Sequence, residues 1–349
     1  MNLSRVLSPR PPARASRRGD DLAILVNANA KRGGRRVSAQ IAGALPGASI
    51  RLTRSTEEID TWLYGLGSSR AILAAGGDGT VMALLNALWR VRPEPEPLPT
   101  VGVLPLGTGN AWAHALGAPK LHRCLELLAN TPGHLPTRFV GLISVEGKLT
   151  HFSGAGWDAM VLEDYGAQLD ATAWPGRHLS KSVYGYLSAA ALRTLPKIAL
   201  YGNPRVVIEN LGDSVFAVDS RGVPRRMKSL ARGDVLYDGP AGTAAVGTCP
   251  EYGYRFRAFP FAERMPGFFN LRVLDRNVVG AVLACPRLWK GAYSLAGVHD
   301  WLATHVRMTF SRPVPIEMGG DILGRRQVVE FRAPLRGVHM LDWRRLLCR

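Results

Sequence analysis

Two short runs carry the residue types that phosphate chemistry needs. The first, Gly76-Gly77-Asp78-Gly79-Thr80, lies between an apolar run at 70–75 (RAILAA) and a helical face at 80–90 (TVMALLNALWR). Glycines let a backbone come close to an anion, and a helix start offers free N–H groups and a positive dipole end. Thr80 can cap the helix or touch phosphate. Asp78 would repel a bare phosphate, so it makes sense on Mg²⁺ or as acceptor of a hydroxyl proton. Read without function, the same five residues are a tight strand-to-helix turn with Asp78 as a cap. The second run, 104–110 (LPLGTGN), ends the next apolar strand at 101–104 and opens another helix. Two such turns on neighbouring strand ends converge on one crevice. The chain has no G-x-x-x-x-G-K-[ST], and the first turn lacks G-x-G-x-x-G spacing, which excludes an ordinary P-loop kinase.

The elements that position these turns alternate. Strands are expected at 21–27, 49–53, 70–75 and 101–104, with helices near 37–45, 56–66 and 80–90. That order predicts a doubly wound parallel sheet with helices on its faces, in which ligands sit at the carboxyl ends of strands. After about residue 140 the texture changes to short β-like segments with Gly- and Pro-bearing turns. They fall at 139–145, 148–152, 205–209, 214–218, 242–247, 254–258, 270–274, 306–310, 315–318 and 327–333. A mainly antiparallel β-sandwich domain is expected there. Helices are expected at 180–195 and 288–302, the latter amphipathic and packed on the sheet, with membrane docking as its minor reading. Residues 233–240, with Asp234 and Asp238, read as a turn. The division is therefore a basic tail at 1–20, an α/β domain at 21–140 and a β-rich domain at 141–334, with 335–349 packing back onto the first.

The 349 residues are 46% hydrophobic and 20% charged, enough for sizeable cores and for two domains of ordinary size. No apolar run approaches the ~20 residues of a membrane-crossing helix. Four cysteines (Cys124, Cys249, Cys285, Cys348) lie far apart, which argues against a disulfide scaffold and suits a reducing compartment. Eight scattered histidines make no metal or triad pattern. The net charge is +17, carried by 37 arginines and 7 lysines, and a generally basic surface is its plain reading. The sharper one is attraction to an anionic membrane or to nucleotide phosphates. Nucleic acid is set aside because no zinc finger, RNA-binding aromatic motif or basic heptad accompanies the charge. The aromatic residues Tyr252, Tyr254, Phe256, Phe259, Phe261, Phe268 and Phe269 read as core; interleaved with Arg255, Arg257 and Arg264, they could instead line a lipid entrance.

Asn27 and Asn29 in the first turn, GGDGT at 76–80 and PLGTGN at 105–110, in that order, resemble the diacylglycerol kinase catalytic superfamily, which includes bacterial lipid kinases and sphingosine and ceramide kinases. The run 152–159 (FSGAGWDA) is similar to that family's glycine-rich start of the second domain, and 316–321 (IEMGGD) stands where the family carries Asp-Gly-Glu. The resemblance implies an NAD kinase/phosphofructokinase-like first domain, ATP and Mg²⁺ as cofactors, and phosphoryl transfer to a hydroxyl of a lipid such as diacylglycerol. It implies a cytoplasmic protein peripheral to the inner face of the membrane; a homodimer is left open. Carried over by residue, Thr53, Gly76, Gly77, Asp78, Gly79, Thr80, Gly107, Thr108, Gly109 and Asn110 contact the nucleotide, with Asn27 supporting the first loop. Asp78 holds Mg²⁺–ATP or orients the hydroxyl, Asp321 replaces the family's glutamate as general base, and Asp158 lies near the acceptor headgroup. Ala111, Gly319 and the stretch 265–270 depart from the family pattern; the last stands where some bacterial members hold a structural Mg²⁺. A non-catalytic nucleotide- or lipid-binding relative, or a kinase for a soluble acceptor such as NAD, is the alternative.

Overall fold

In a computed structural model the structure describes residues 21–28, 34–66, 71–92, 97–107, 110–131, 133–171, 185, 188–227, 230–252 and 256–348. The N-terminal tail therefore lies outside the described residues, as do Asn29, Thr108, Gly109, Tyr254, Arg255 and, of the helix expected at 180–195, residues 180–184 and 186–187; its described remainder is helical.

The first sheet contains β1 (Leu22–Asn27), β2 (Ser49–Thr53), β3 (Ala71–Gly76), β4 (Val101–Pro105) and β5 (Thr137–Val140). The later strands are β6 (Ile143–Val145), β7 (Lys148–Thr150), β8 (Phe152–Gly156), β9 (Arg205–Asn210), β10 (Val215–Val218), β11 (Pro224–Arg226), β12 (Val235–Pro240), β13 (Thr243–Gly247), β14 (Phe269–Leu274), β15 (Val298–Ala303), β16 (His305–Met318), β17 (Asp321–Arg332) and β18 (Val338–Leu341). The helices are α1 (Gly34–Ala44), α2 (Glu57–Tyr64), α3 (Asp78–Val91), α4 (Ala111–Leu116), α5 (Leu121–Asn130), α6 (Trp157–Ala171), α7 (Leu195–Tyr201), α8 (Val278–Trp289) and α9 (Trp343–Leu347), with one π-turn at Ala190–Thr194.

β1 and β3 are almost wholly buried, as continuous apolar strands covered on both faces must be, whereas β2 alternates and sits at the edge. The order is β2-β1-β3-β4-β18-β5, parallel from β2 through β18, with only β5 antiparallel. The last strand of the chain thus pairs with β4 on one side and β5 on the other. On one side of α3, Val81, Leu84, Leu85 and Leu88 are buried in the first core.

The remaining strands form one 12-stranded antiparallel sheet. Long β16 spans two neighbourhoods: its first half pairs with β9 and its end with β8. Buried residues of β9, β13, β14, β15, β16 and β17 share one apolar cluster, and Phe152, Ala245, Ala258, Phe259 and Ala262 form a second, smaller one. Asn86 of α3 ties the first domain to β7 of the second sheet, whose Leu149 side chain is buried in the first core. The Asn86 side-chain amide donates to the Leu149 carbonyl (3.0 Å) and accepts from the Leu149 N–H (2.8 Å).

Three local expectations are corrected. Residues 288–302 do not form one helix: the helix is α8, ending at Trp289, and β15 occupies Val298–Ala303. Gly291 and Gly297, at φ 79° and 71°, turn the chain between them. Residues 233–240 are mostly strand rather than turn, with β12 paired to β9. Among the described residues α5 and α6 are further helices; α6 buries only Ala159, Val161 and Asp164, so it has little apolar periodicity.

Candidate functional site

Four strand ends meet at the carboxyl edge of the first sheet. Asn27 closes β1 and donates from Nδ2 to Thr80 Oγ1 (3.0 Å), which ties the first loop to the start of α3. Thr53 ends β2 and its carbonyl accepts the Ala28 N–H (2.9 Å). The Leu106 N–H donates to the Gly76 carbonyl (3.0 Å), binding the turn after β4 to the turn after β3. Glycine is required where these turns touch: a Cβ on Gly107 would stand 2.6 Å from Gly77 Cα, and one on Gly76 2.2 Å from Thr80 Oγ1. Helix α3 begins after Gly77 with no side-chain cap, and the Thr80 N–H turns back onto the Gly77 carbonyl (2.9 Å).

Asp78 bridges the two turns. Its Oδ2 accepts the Ala111 N–H (3.0 Å) and its Oδ1 the Trp112 N–H (2.9 Å). The carboxylate therefore caps α4, a different helix from its own, and holds both glycine turns in one frame. Each oxygen keeps a second lone pair. Asn110 takes a left-handed backbone (φ 48°) and its Nδ2 donates to the Gly107 carbonyl (2.7 Å). Thus Asn27, Thr53, Gly76, Gly77, Asp78, Gly79, Thr80, Gly107 and Asn110 come together on one edge, while Thr108 and Gly109 lie outside the described residues.

A second cluster sits in the antiparallel sheet. Asp158 begins α6, and its Oδ2 accepts the Tyr252 hydroxyl (2.5 Å). Glu317 of β16 is fully buried, and neither of its carboxylate oxygens, nor Asp158 Oδ1, has a hydrogen-bond partner. Burial and the neighbouring Asp158 push the Glu317 carboxyl well above its ordinary range; Asp158 is raised by burial, and the Tyr252 hydroxyl is raised by burial and by Asp158. Asp321 starts β17, exposed, just past the Gly319–Gly320 turn, and its charge acts on Glu317. Sequence reasoning placed Asp158 and Asp321 here but gave no role to Glu317, although it stands inside the run quoted for Asp321. Tyr252 was read as core, and its hydroxyl is the feature that signals otherwise.

Ring contacts connect the two clusters. Trp112, whose backbone N–H is held by Asp78, has its ring 4.8 Å from His151; His151 lies 4.4 Å from Phe152, which stacks on Tyr252 at 4.2 Å. His151 is buried with both ring nitrogens unpartnered, and burial lowers its pKa to about 3, so the ring is neutral.

The donor sets can be tested against the implied cofactors. The glycine turns and uncapped α3 start suit a triphosphate. Among the described residues no three His, Cys, Asp or Glu could hold a metal ion together. A Mg²⁺ carried on phosphates needs only one or two carboxylates, and Asp78 can supply one. In the stretch 265–270, Asn270 Nδ2 donates to the buried Asp300 (2.9 Å), whose carboxylate is also paired with the Arg272 guanidinium (2.9 and 2.8 Å). That carboxylate is neutralised by protein groups.

Residues 21–134 match the diacylglycerol kinase catalytic domain. The resemblance read from the two glycine turns is borne out. An eye-specific diacylglycerol kinase of Drosophila melanogaster is 44% identical over 66 residues, 19% of this chain and 4% of that protein. A diacylglycerol kinase of Bacillus subtilis (strain 168) is 47% identical over 49 residues, 14% of this chain and 15% of that protein. The chain thus matches only a small part of these curated relatives' length. In fold the likeness is broader. A diacylglycerol kinase structure from Bacillus anthracis str. Sterne aligns with TM-score 0.60 and 15% identity over 93% of this chain and 97% of that one. An NAD kinase from Archaeoglobus fulgidus in complex with ATP aligns with TM-score 0.50 and 10% identity over 94% and 96%. An α/β domain followed by an antiparallel sheet domain is therefore the fold shared with these kinases.

Proposed function

We propose that the protein is an ATP- and Mg²⁺-dependent lipid kinase that transfers the γ-phosphoryl group to a hydroxyl of a lipid such as diacylglycerol, working at the inner face of the membrane. The observation that carries this reading is the frame in which Asp78 ties GGDGT to the turn after β4 inside a matched diacylglycerol kinase catalytic domain. The glycine turns would cradle the phosphates, with Asn27 and Thr80 fixing the loop beside them. Asp78, with the phosphates, would hold a Mg²⁺ that would supply charge neutralisation of the transferring group. The acceptor oxygen forms the new bond to the γ-phosphorus, ADP leaves, and Asp321 takes the hydroxyl proton. Asp158 would stand beside the acceptor headgroup.

The test is γ-labelled ATP with Mg²⁺ and mixed micelles carrying a panel of lipid alcohols, run beside Asp321→Asn. This variant is preferable to Asp78→Asn, which would also remove a backbone cap. Label is expected in a lipid, with a drop on the order of 10²-fold or more in Asp321→Asn and nucleotide binding retained. No labelled lipid despite bound ATP would overturn the reading. Label appearing in NAD instead would favour the soluble-acceptor alternative, which the shared NAD kinase fold motivates.

A further inference from the structure

Helix α8 is built inside out. Its small residues Ala281 and Ala284 face the protein and are buried, whereas Val279, Val282 and Leu283 are 67%, 60% and 76% exposed. A surface helix ordinarily turns its large apolar side chains inward, so a face of this kind marks a surface that something else covers. Helix α7 adjoins it and adds Leu200 and Tyr201, 75% and 65% exposed. Across 278–299 there is no acidic residue, while Arg287 and Lys290 are exposed at the end of α8.

We propose that the outward face of α8, flanked by α7, docks on an anionic lipid bilayer. An amphipathic helix with an apolar face and a basic rim lies in the plane of such a surface, held by apolar burial and by attraction to anionic headgroups. A second copy of the chain fits less well, because a two-fold pairing of this face would meet one basic rim with another and offer no acid. The bilayer also makes sense of what lies behind the helix. Trp289 at the end of α8 stacks on Phe256 (5.1 Å), Phe256 lies 6.1 Å from Tyr252, and Tyr252 holds Asp158. The Arg257 N–H further donates to the Trp289 carbonyl (3.1 Å). An acceptor leaving the bilayer at this face is thus two aromatic rings from the second cluster. Among the described residues no helix is long and apolar enough to cross the membrane, so the contact is peripheral.

The choice of a bilayer rests in part on the lipid-kinase reading, and the experiment keeps the two apart. The full chain is floated with phosphatidylcholine vesicles, with and without phosphatidylglycerol, beside Val282→Glu/Leu283→Glu and Arg287→Ala/Lys290→Ala. Phosphorylation of a short-chain, water-dispersed diacylglycerol is measured in parallel. Wild type is expected on phosphatidylglycerol vesicles, with binding reduced roughly tenfold or more by the glutamate pair and weakened by salt and by the alanine pair. Unchanged melting temperatures are expected, because all four side chains are exposed. Equal vesicle binding by wild type and the glutamate pair, or none by wild type, overturns the proposal. So does a glutamate pair that only converts a dimer to a monomer. Vesicle binding through α8 without phosphorylation of the short-chain acceptor defeats the kinase reading and leaves the docking face standing.

Discussion

Glu317 is the residue whose chemistry departs furthest from its sequence appearance. A glutamate four residues before Asp321 reads as an ordinary β-strand charge, yet it is fully buried with both oxygens unpartnered. Its raised pKa has a definite consequence for stability. The folded protein keeps the Glu317 proton at pH values where the unfolded chain has lost it, so this group stabilises most at low pH and its contribution falls as pH rises from about 4.5 through the folded value. The effect is limited to about 1.4 kcal/mol per pH unit within that window. Glu317→Gln keeps the shape and removes the titration. Its melting temperature should gain on wild type as pH rises above about 4.5, and a difference that stays constant with pH would contradict the assignment. His151 acts with the opposite sign: held neutral with a pKa of about 3, it costs stability as pH falls below its ordinary value of 6.5.

At the scale of elements, the glycine turns allow structural and ligand-binding reasons for glycine to be separated. Gly107→Ala would drive a Cβ to 2.6 Å from Gly77 Cα, a backbone contact that cannot yield, so it should lower both stability and nucleotide affinity. Gly79 is different: a Cβ there meets nothing within 4 Å, and the position lies in the first turn of α3. Gly79→Ala should raise stability by up to about 1 kcal/mol. If phosphate approaches this turn, the same change weakens ATP binding; thermal melts with and without ATP distinguish the two effects. Asn86→Ala removes two hydrogen bonds between α3 and β7 and should cost about 1–3 kcal/mol.

Much of this level was legible in sequence because it rests on local signals. Apolar strands ending in glycine turns identified β1, β3 and β4 and the residues that meet at their ends. What escaped depended on tertiary context. Helix α6 buries an aspartate and few apolar groups; its Asp164 accepts from Thr194 Oγ1 (2.8 Å) and pairs with Lys197, partners about thirty residues away. The apolar residues of 288–302 ran on past the helix end, so periodicity overrode Gly291 and Gly297. That Asp78 caps α4 rather than α3 could be seen only once the two turns stood side by side.

For the whole molecule, the contacts that tie the two sheets together among the described residues include the Asn86 amide, the Leu149 side chain of β7 buried in the first core, the Trp112–His151 ring pair, and an ion pair between Arg138 and Glu263 (3.3 Å). The +17 charge adds a long-range pull toward anionic surfaces, so association with phosphatidylglycerol vesicles should slow steeply between low and physiological salt. Stopped-flow rates at two ionic strengths would show it, and salt-independent rates would assign the charge no steering role.

The position of β18 bears on the order in which the chain can be made. β1 to β4 lie within residues 22–105, but the strand that seats beside β4 is drawn from residues 338–341, far later in the chain. Until that strand is made β4, buried and apolar in the finished sheet, has an open edge, the kind of template that invites wrong partners. The first domain therefore cannot close its sheet until β18 has been made. A ribosome stalled after residue 334 would hold a nascent chain whose first sheet stays protease-sensitive, and only release of the final segment would complete it.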